Sequence, residues 1–338
     1  MKQIGELANV SRPTVSLILN GKAEKFNISP ETVKRVKDIV KKTGYKPNLL
    51  ARSMKTGKTG VIGLLQREEG IRQIANGENP NSMFMRLYAH LLLMGKNVLV
   101  IPESIDDVQN CSIPDRLSNQ LVDTLIINDS LLYDDINSIK YLENLKKYCT
   151  KCIGIAVNYN DISSVNFDNF NAGYMIADNF IAKGCKSFAI LGNTDMNFDF
   201  SERRKGFISR IAETFPGIKV EMFTAENCWD IKCGSEAVSK MLSSGKTIPD
   251  AIFALNDYFI HEAVAELQRC NIDDRKITFG AVGNSINQIN CHYPLVYAGF
   301  DDTEYIQSIC DLLDEDEKTC SKKILHANLI DQTLRNNQ

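Results

Sequence analysis

One short segment of the sequence, VSRPTVSLILNG at residues 10–21, combines side chains that suit contact with nucleic acid. An arginine such as Arg12 can donate two hydrogen bonds to one guanine, and a serine such as Ser16 can reach a base or a phosphate. Pro13 and Leu17 offer only apolar contacts, for instance to the methyl group of thymine. The residues of this segment that we predict to contact DNA are Arg12, Pro13, Thr14, Ser16, Leu17, Asn20 and Lys22.

A helix over residues 12–19 would present these side chains together. Ser11 suits an N-cap, and Pro13 suits the first turn, where its missing N–H costs nothing. Val15 and Ile18 then lie on one apolar face, and Gly21 can end the helix. Eight residues are too few for a stable isolated helix, so neighbouring helices must support it.

Two further helices are predicted around this one. Ile4, Leu7 and Ala8 mark the first, and ISPETVKRVKDIVKKTG predicts the other, with Ser29 as its N-cap and Gly44 at its end. Two short helices joined by a brief turn and braced by a third form a helix-turn-helix unit, whose second helix fits the major groove of DNA. We therefore predict a helix-turn-helix DNA-binding domain over residues 1–45; a small helical bundle with a charged surface is the alternative.

The charge of the chain is divided unevenly. Residues 1–60 contain 13 Lys and Arg against 4 Asp and Glu, a net charge of +9, whereas the whole chain carries −3. Lys22, Lys25 and Lys34 are placed to meet phosphates. A basic head on an acidic body indicates that the head alone meets a polyanion, although a solvated charged face would give the same asymmetry.

Residues 46–59 form the predicted hinge segment and linker. Leu49, Leu50 and Met54 are apolar with nothing local to bury against, and the segment is too short to be a stable helix in water. Two paired copies could fold against the minor groove, where an apolar side chain wedges between base steps. The residues that we predict to contact DNA there are Asn48, Leu49, Ala51, Arg52, Met54 and Lys55.

From residue 60 onward, apolar segments alternate with helical ones. We predict buried strands at VIGLL, NVLVIP, TLIIN, CIGIAV, SFAILG, AIFALN and ITFGAV. This alternation predicts an α/β fold of mostly parallel strands, divided between two sheets in residues 60–338. Ligands bind beyond the carboxyl ends of strands in such sheets, which points to Arg67, Asn158, Asn256 and Asp257. Asn256 and Asp257 could instead cap the helix that follows them.

These segments together resemble the lactose/purine-repressor family of bacterial transcription regulators. The matching pieces are VSRPTVSLILNG, ISPETVKRV, GYKPNLLARSMKTGKTGVIGLL and, far downstream, ALND. The resemblance implies an all-α helix-turn-helix head plus an α/β two-lobed periplasmic-binding-protein-like effector domain, with crossovers near residues 158, 287 and 318. It also implies a homodimer on a pseudo-palindromic double-stranded operator. Leu17 stands where many members carry an arginine, and Met54 replaces the usual wedging leucine. These two departures concern which operator sequence this chain binds.

Three effector-site predictions depend on the resemblance. Arg203 matches the family arginine of an Arg-x-x-Gly pattern, Trp229 matches an aromatic that relatives stack on the effector, and Asn284 lies in a Val-Gly-Asn similar to the trehalose-repressor branch. Polar groups at strand ends and one flat aromatic suit a sugar or sugar phosphate. The predicted effector-binding residues are Arg67, Asn158, Arg203, Trp229, Asn256, Asp257 and Asn284.

A purely structural role is the alternative at several of these positions. Trp229 could belong to the core, and Arg203, within a charged run, could be a solvated surface arginine. Asp168 is expected to cap the helix that begins near residue 171 rather than to bind an effector.

The sequence contains no motif for catalysis or metal binding. A G-x-G-x-x-G after the first strand, a nucleophile elbow, a P-loop and an HExxH are all missing, so we predict no enzyme, no cofactor and no metal. An α/β enzyme or small-molecule-binding protein with an incidental basic head is the alternative function. Cys149 and Cys152 have the spacing of a redox pair or of half a zinc site, but no second CxxC accompanies them, and we expect chance spacing.

The cellular setting is predicted from the cysteines and from apolar segments. Ten cysteines lie after residue 110 without the tight spacing of small secreted domains. The amino-terminal residues MKQIGELANV lack the apolar core of a signal peptide, and no stretch is long enough to span a bilayer. These features predict a cytoplasmic protein without membrane contact.

Overall fold

The computed structural model describes residues 1–19, 21–45, 57–77, 82–119, 122–128, 136–157, 159–193, 198–225, 232–283 and 293–332. The chain divides into two compact units, Met1–Gly60 and Val61–Gln338.

The described residues of the first unit form three α-helices around a small apolar core. They are α1 (Lys2–Ala8), α2 (Arg12–Leu19) and α3 (Pro30–Thr43), with a short 3-10 turn at Glu24–Phe26. The predicted bounds of α2 are confirmed. The buried apolar side chains are Ile4, Ala8, Val15, Ile18 and Val36.

One of the three apolar residues that mark α1 faces solvent. Leu7 is 57% exposed. The buried residues of α1 are Ile4, Gly5 and Ala8, a stripe only about one residue wide on so short a helix, and Leu7 falls outside it.

The helix ends follow the predicted capping residues. Ser11 Oγ accepts a hydrogen bond from Thr14 N at 3.2 Å, and Ser29 Oγ accepts one from Thr32 N. Gly44 ends α3 in a left-handed conformation, with φ at 62°. Each cap satisfies a backbone group that the helix itself leaves without a partner.

The second unit contains twelve described strands. They are β1 (Val61–Arg67), β2 (Asn97–Glu103), β3 (Thr124–Asn128), β4 (Lys151–Ile155), β5 (Ser163–Phe167), β6 (Phe188–Asn193), β7 (Glu221–Ala225), β8 (Ala251–Ala254), β9 (Thr278–Val282), β10 (Leu295–Gly299), β11 (Lys322–Leu325) and β12 (Asn328–Asp331). All seven predicted strands are among them.

These strands form two six-stranded sheets. The strand order is β11-β5-β4-β3-β1-β2 in the first sheet and β12-β10-β9-β8-β6-β7 in the second. In the described chain, β12 runs antiparallel to β10 and the other neighbouring strands are parallel. The carboxyl ends of the parallel strands therefore lie together at one edge of each sheet.

Helices connect and cover the strands of both sheets. They are α4 (Glu68–Ala75), α5 (Met83–Leu93), α6 (Ile105–Asn110), α7 (Asp115–Ser118), α8 (Ile136–Leu145), α9 (Asn169–Ala182), α10 (Phe198–Thr214), α11 (Cys233–Ser243), α12 (Tyr258–Arg269) and α13 (Asp302–Asp314). Within the described residues, none of these helices is both long enough and apolar enough to span a bilayer.

The chain passes between the two sheets three times, and our predicted positions for these passages were wrong. They follow β5, follow β10 and separate β11 from β12, whereas we expected them earlier, near residues 158, 287 and 318. The error arises because β5 and β10 were not predicted, so each sheet seemed to end one strand too soon. The tail KKILHANLID supplies β11 to the first sheet and β12 to the second.

Candidate functional site

The front of α2 is a solvent-exposed surface of mixed polar and apolar side chains. Arg12 and Pro13 are exposed, while Thr14, Ser16 and Leu17 are partly buried. On the other side of the same helix, Val15 and Ile18 are 0% and 3% exposed. The apolar face thus anchors α2 in the head and leaves its amino-terminal end accessible to a large partner.

The turn before α2 depends on a glycine in α1. A Cβ atom built on Gly5 would lie 2.7 Å from the carbonyl oxygen of Val10. Val10 N also donates a hydrogen bond to Gly5 O at 2.9 Å. Arg35 of α3 adds a hydrogen bond from Nε to the carbonyl oxygen of Ala8 at 3.0 Å. These contacts fix how α2 follows α1 and so where Arg12 points.

The carboxyl-terminal end of α2 presents a lysine. Lys22 N donates to Leu17 O at 2.9 Å and Gly21 N donates to Ile18 O at 3.2 Å. Gly21 has a φ of 70°, so the two bonds form a Schellman motif. Lys22, the last residue of this motif, has an exposed side chain, so its ammonium group is accessible.

An open groove adjoins the amino-terminal end of α2. Its volume is about 420 Å³, and its lining includes the basic residues Lys2 and Arg12, the acidic residue Glu6 and Ser11. One predicted hydroxyl is already engaged, because Thr14 Oγ1 lies 2.8 Å from Ser11 Oγ. Since the basic groups outnumber the acidic one, the groove favours an anionic partner.

Beside the carboxyl end of β8, Arg203 of α10 is buried within a polar network. It is 9% exposed, so the interpretation as a solvated surface arginine is wrong. Arg203 Nε donates to Asn169 Oδ1 at 2.8 Å, and Nη1 donates to the carbonyl oxygen of Leu255 at 2.7 Å. Asn169 Nδ2 in turn donates to Asp199 Oδ1 at 2.8 Å.

This buried guanidinium stays charged. Burial lowers the pKa of Arg203 below its ordinary value, and the negative charges of Asp199 and Asp257 offset only part of that effect. An arginine has so high an ordinary pKa that it stays protonated in proteins. The network therefore holds a fixed positive charge near the carboxyl end of β8.

Two glycines bring α9 and α10 close enough for this network to form. A Cβ atom on Gly173 would lie 1.9 Å from the carbonyl oxygen of Arg203. A Cβ atom on Gly206 would lie 1.9 Å from the carbonyl oxygen of Phe170. The Arg-x-x-Gly pattern thus has a physical reason, because the glycine permits the helix contact that carries Arg203 to Asn169.

The residues after β8 hold a second part of the polar network. Asp257 is 3% exposed, and a Cβ atom on Gly283 would lie 2.4 Å from its carboxyl carbon. Gly283 has a φ of 145°, a conformation that side chains rarely adopt. Asn256 Oδ1 accepts a hydrogen bond from Tyr258 N at 3.0 Å, an Asx turn that leads into α12, whose N-cap residue is Asp257.

In the first sheet, Arg67 ends β1 and is 6% exposed. Its register partner on β2 is Glu103, which is 0% exposed. Two strands away from β1, Ala156 follows the last residue of β4 with a φ of 55°, and such strained backbone often accompanies binding sites. Buried charge and strain thus both occur at the carboxyl edge of this sheet.

Of the predicted effector-site residues, Arg203 and Asp257 lie near each other beside the second sheet, whereas Arg67 lies in the first sheet. Asp168 caps α9 as predicted, since its carboxylate accepts from Asn171 N at 3.1 Å. The remaining predicted residues lie outside the described residues; they are Asn20, Asn48, Leu49, Ala51, Arg52, Met54, Lys55, Asn158, Trp229 and Asn284.

Sequence reasoning missed three polar residues of these networks: Asn169 and Glu103 are buried, and Asp199 is partly buried. A signal existed for Asn169, because it lies four residues before Gly173 on the buried face of α9. In the described ranges, no three His, Cys, Asp or Glu side chains are grouped as metal ligands.

Known proteins share both the sequence and the fold of this chain. Residues 1–48 match the bacterial regulatory proteins of the lacI family, and residues 150–293 match a periplasmic binding protein domain. The HTH-type transcriptional regulator RegA of Clostridium saccharobutylicum is 26% identical over 263 residues, which cover 76% of this chain and 74% of that protein.

Two solved structures have the fold of nearly the whole chain. The lac repressor dimer bound to operator and the anti-inducer ONPF has a TM-score of 0.73 at 20% identity, covering 97% of this chain and 96% of that one. The transcriptional regulator CelR in complex with cellobiose has a TM-score of 0.64 at 19% identity and covers 97% of both chains.

The predicted fold class, an all-α head followed by a two-lobed α/β domain, is confirmed. The matched proteins are regulators rather than enzymes. The chain thus joins a helix-turn-helix head of the lacI family of bacterial regulatory proteins to a periplasmic-binding-protein-like domain, and it is a DNA-binding transcriptional regulator.

Proposed function

We propose that this chain is a repressor that binds a pseudo-palindromic operator as a homodimer and is controlled by a small carbohydrate or sugar phosphate. The observation that carries this proposal is the division of α2. Its apolar side, with Val15 and Ile18, is buried in the head, while Arg12 and Pro13 at its amino-terminal end are exposed. In helix-turn-helix proteins that end of the second helix reaches base edges in the major groove.

The proposed contacts in the head divide by chemistry. Arg12 reads a guanine through two hydrogen bonds, and Ser16 reaches a base or a phosphate. Pro13 and Leu17 make apolar contacts with base edges. Lys22 meets the phosphate backbone, which contributes affinity with little sequence preference. The other proposed contacts of this segment are Thr14 and Asn20.

A homodimer accounts for the proposed operator symmetry. Two copies of α2 would occupy two half-sites of a pseudo-palindrome. The paired hinge segments would fold in the minor groove between them, with Met54 as the wedging side chain. The proposed hinge contacts with DNA are Asn48, Leu49, Ala51, Arg52, Met54 and Lys55. Because its operator is part of the bacterial chromosome, the protein would act in the cytoplasm.

The proposed effector site lies at the carboxyl ends of the strands of the second unit. Arg67 and Arg203 are two buried positive charges, a feature that suits a phosphate or several sugar oxygens. A relative of the same fold is known in complex with cellobiose, which supports a carbohydrate. The proposed effector contacts are Arg67, Asn158, Arg203, Trp229, Asn256, Asp257 and Asn284.

Control of DNA binding by the effector would use the two lobes, which are joined by three passages of the chain. An effector that binds one arrangement of the lobes more tightly shifts the population toward it. That arrangement would set the spacing of the paired hinge segments and hence their ability to fold on DNA.

The replacement Arg12→Ala tests the DNA-binding role. Operator selected from random sequence with the wild-type protein is titrated with both proteins over a range of salt concentrations. We expect the variant to lose discrimination at one base pair, worth about 1–3 kcal/mol, and to keep weak, salt-sensitive binding to all duplexes. Lys37→Ala, which removes an exposed charge of α3, is the matched control and should keep the wild-type sequence preference. Unchanged preference in Arg12→Ala would remove this residue from base recognition.

A thermal-shift screen of sugars and sugar phosphates tests the effector role. A ligand that binds only the native state raises the melting temperature. Trp229 is the one tryptophan of the chain, so its fluorescence should respond to the same compound that stabilises the protein. A compound that stabilises the protein yet leaves this fluorescence unchanged would remove Trp229 from the site.

A further inference from the structure

Two cysteines at the start of β4 lie side by side, and the proposed function uses neither. Cys149 follows the 3-10 turn Lys146–Tyr148, and Cys152 is in β4. Their Sγ atoms are 3.2 Å apart. A disulfide needs an S–S distance of about 2.05 Å, so a movement of roughly 1 Å would join them. The expectation that their CxxC spacing is accidental does not account for this contact.

The two thiols differ in exposure and in charge. Cys152 is buried, whereas Cys149 is partly accessible. The hydrogen bond with Cys152 lowers the pKa of Cys149 against the effect of burial, helped by the backbone amides of Lys151 and Leu125 and the ammonium of Lys146. The same hydrogen bond and burial raise the pKa of Cys152. Cys149 is thus the more readily ionised of the two thiols and the better attacking residue, and Cys152 is its resolving partner.

We propose that Cys149 and Cys152 are a redox-active dithiol, a modification site that hydrogen peroxide converts to an intramolecular disulfide. The Cys149 thiolate attacks one peroxide oxygen, breaks the O–O bond and becomes a sulfenic acid, while the departing hydroxide takes a proton and leaves as water. The Cys152 sulfur then attacks the Cys149 sulfur, the S–O bond breaks, and the Cys152 proton leaves with the hydroxide as a second water. Two thiols are oxidised and one peroxide is reduced.

The position of the dithiol connects it to the start of the second unit. Thr150 and Lys151, which lie between the cysteines, donate their backbone N–H groups to Asp123 O at 2.8 and 3.2 Å. Asp123 N donates in turn to Val61 O at 3.0 Å. Val61 is the first residue of the second unit and directly follows the linker.

Closing the disulfide would strain this chain of hydrogen bonds. We expect the two peptides between Cys149 and Lys151 to shift as the sulfurs meet, and the N–H groups of these peptides are the ones that hold Asp123 O. We therefore expect oxidation to loosen the backbone between Asp123 and Val61. The effect of this loosening on DNA binding rests on the function proposed above, since the linker leads from Val61 to the head.

Peptide mapping of the full-length protein tests the dithiol. The reduced protein is treated with hydrogen peroxide, its remaining thiols are alkylated, and it is digested with trypsin without reductant. Lys151 separates the two cysteines, and the next basic residue is Lys183. Only a disulfide can therefore hold the peptides 148–151 and 152–183 together. We expect this linked pair, its release by dithiothreitol, and a loss of two of the ten alkylatable thiols.

Single replacements separate this pair from other oxidation. Cys152→Ser should abolish the linked pair and leave a sulfenic acid at Cys149 that a 1,3-diketone reagent traps. Cys320→Ser is the matched control, because Cys320 is exposed and lies nearby, with its Sγ 3.4 Å from Asp161 O. It should give the wild-type linked pair. A linked pair that forms only in denaturant, or none at all, would overturn the proposal.

Amide exchange tests the connection to Val61. Oxidation should speed the exchange of the Asp123, Thr150 and Lys151 amides at least several-fold in wild type and in Cys320→Ser, and leave it unchanged in Cys152→Ser. Unchanged exchange in protein that carries the disulfide would overturn the connection. Operator affinity should fall several-fold on oxidation in the same two proteins. Neither the mapping nor the exchange uses DNA, so absence of operator binding in both redox states counts against the proposed function and not against the dithiol.

Discussion

The head and the second unit hold their candidate functional residues in opposite ways. In the head, Arg12, Pro13 and Lys22 are exposed, and the buried residues are apolar. In the second unit, Arg67 and Arg203 are themselves buried. A surface that meets a duplex must stand free of its own protein, whereas a site for a small molecule must surround it.

In the head, the residues proposed for binding are therefore distinct from those that stabilise the fold. In the second unit, the same buried residues serve both purposes. An exposed side chain contributes little to the free energy of unfolding, so its replacement changes binding alone. A buried charge that holds other polar groups contributes to both, because its removal leaves those groups buried without partners. The following replacements test this contrast, beginning with the largest expected effect.

The replacement Arg203→Ala should destabilise the second unit strongly. It removes the donor to Asn169 and Leu255 and leaves the nearby carboxylates of Asp199 and Asp257 without their positive neighbour. We expect the free energy of unfolding to fall by about 3–5 kcal/mol. Denaturant unfolding followed by Trp229 fluorescence measures it, because that residue belongs to the second unit.

A neighbouring arginine supplies the control for this experiment. Arg204 is the next residue of α10 and is exposed. Arg204→Ala should stay within about 0.5 kcal/mol of wild type, as surface replacements usually do. Equal losses in the two variants would contradict the assignment of a special role to the buried network.

The replacement Gly5→Ala should destabilise the head and leave the second unit unchanged. Alanine favours a helix by up to about 1 kcal/mol over glycine, but here its Cβ would lie 2.7 Å from Val10 O. That clash involves backbone, which has little room to yield, so we expect a net loss of about 1–3 kcal/mol. Amide exchange of residues 1–45 measures the loss in the full-length protein.

The control is Glu6→Ala, an exposed position of the same helix. It should leave amide exchange in the head close to wild type. If Gly5→Ala also lowered the stability monitored by Trp229, the separation of the two units would be contradicted.

The comparison also shows which parts of the fold could be predicted from sequence. The seven predicted strands are apolar segments with strand neighbours on both sides or a largely buried face, such as β1 and β8. Of the missed strands, β7, β11 and β12 lie at sheet edges and are half-exposed, so their sequences lack a continuous apolar run. Polar residues in β5 (SSVNF) hid that strand in the same way.

The candidate site could be predicted where a residue's role is local. The caps at Ser11, Ser29 and Asp168 depend on neighbours three residues away, and all three were predicted. The partner of Arg203 is Asn169, 34 positions earlier in the chain. Only the packing of α9 on α10 brings these two together, and no local pattern encodes that contact.

The replacement Lys22→Ala should have the smallest effect and the simplest signature. Lys22 is exposed and its backbone, not its side chain, forms the Schellman motif, so stability should stay within about 0.5 kcal/mol of wild type. If its ammonium meets one phosphate, the slope of the logarithm of operator affinity against the logarithm of salt concentration should decrease in magnitude by about 1. Affinity should fall equally on operator and on random duplex, unlike the base-specific loss expected for Arg12→Ala. Lys318→Ala, which removes an exposed charge from the second unit, should leave the slope unchanged. A loss confined to the operator would instead make Lys22 a reader of bases and move the recognition surface beyond the amino-terminal end of α2.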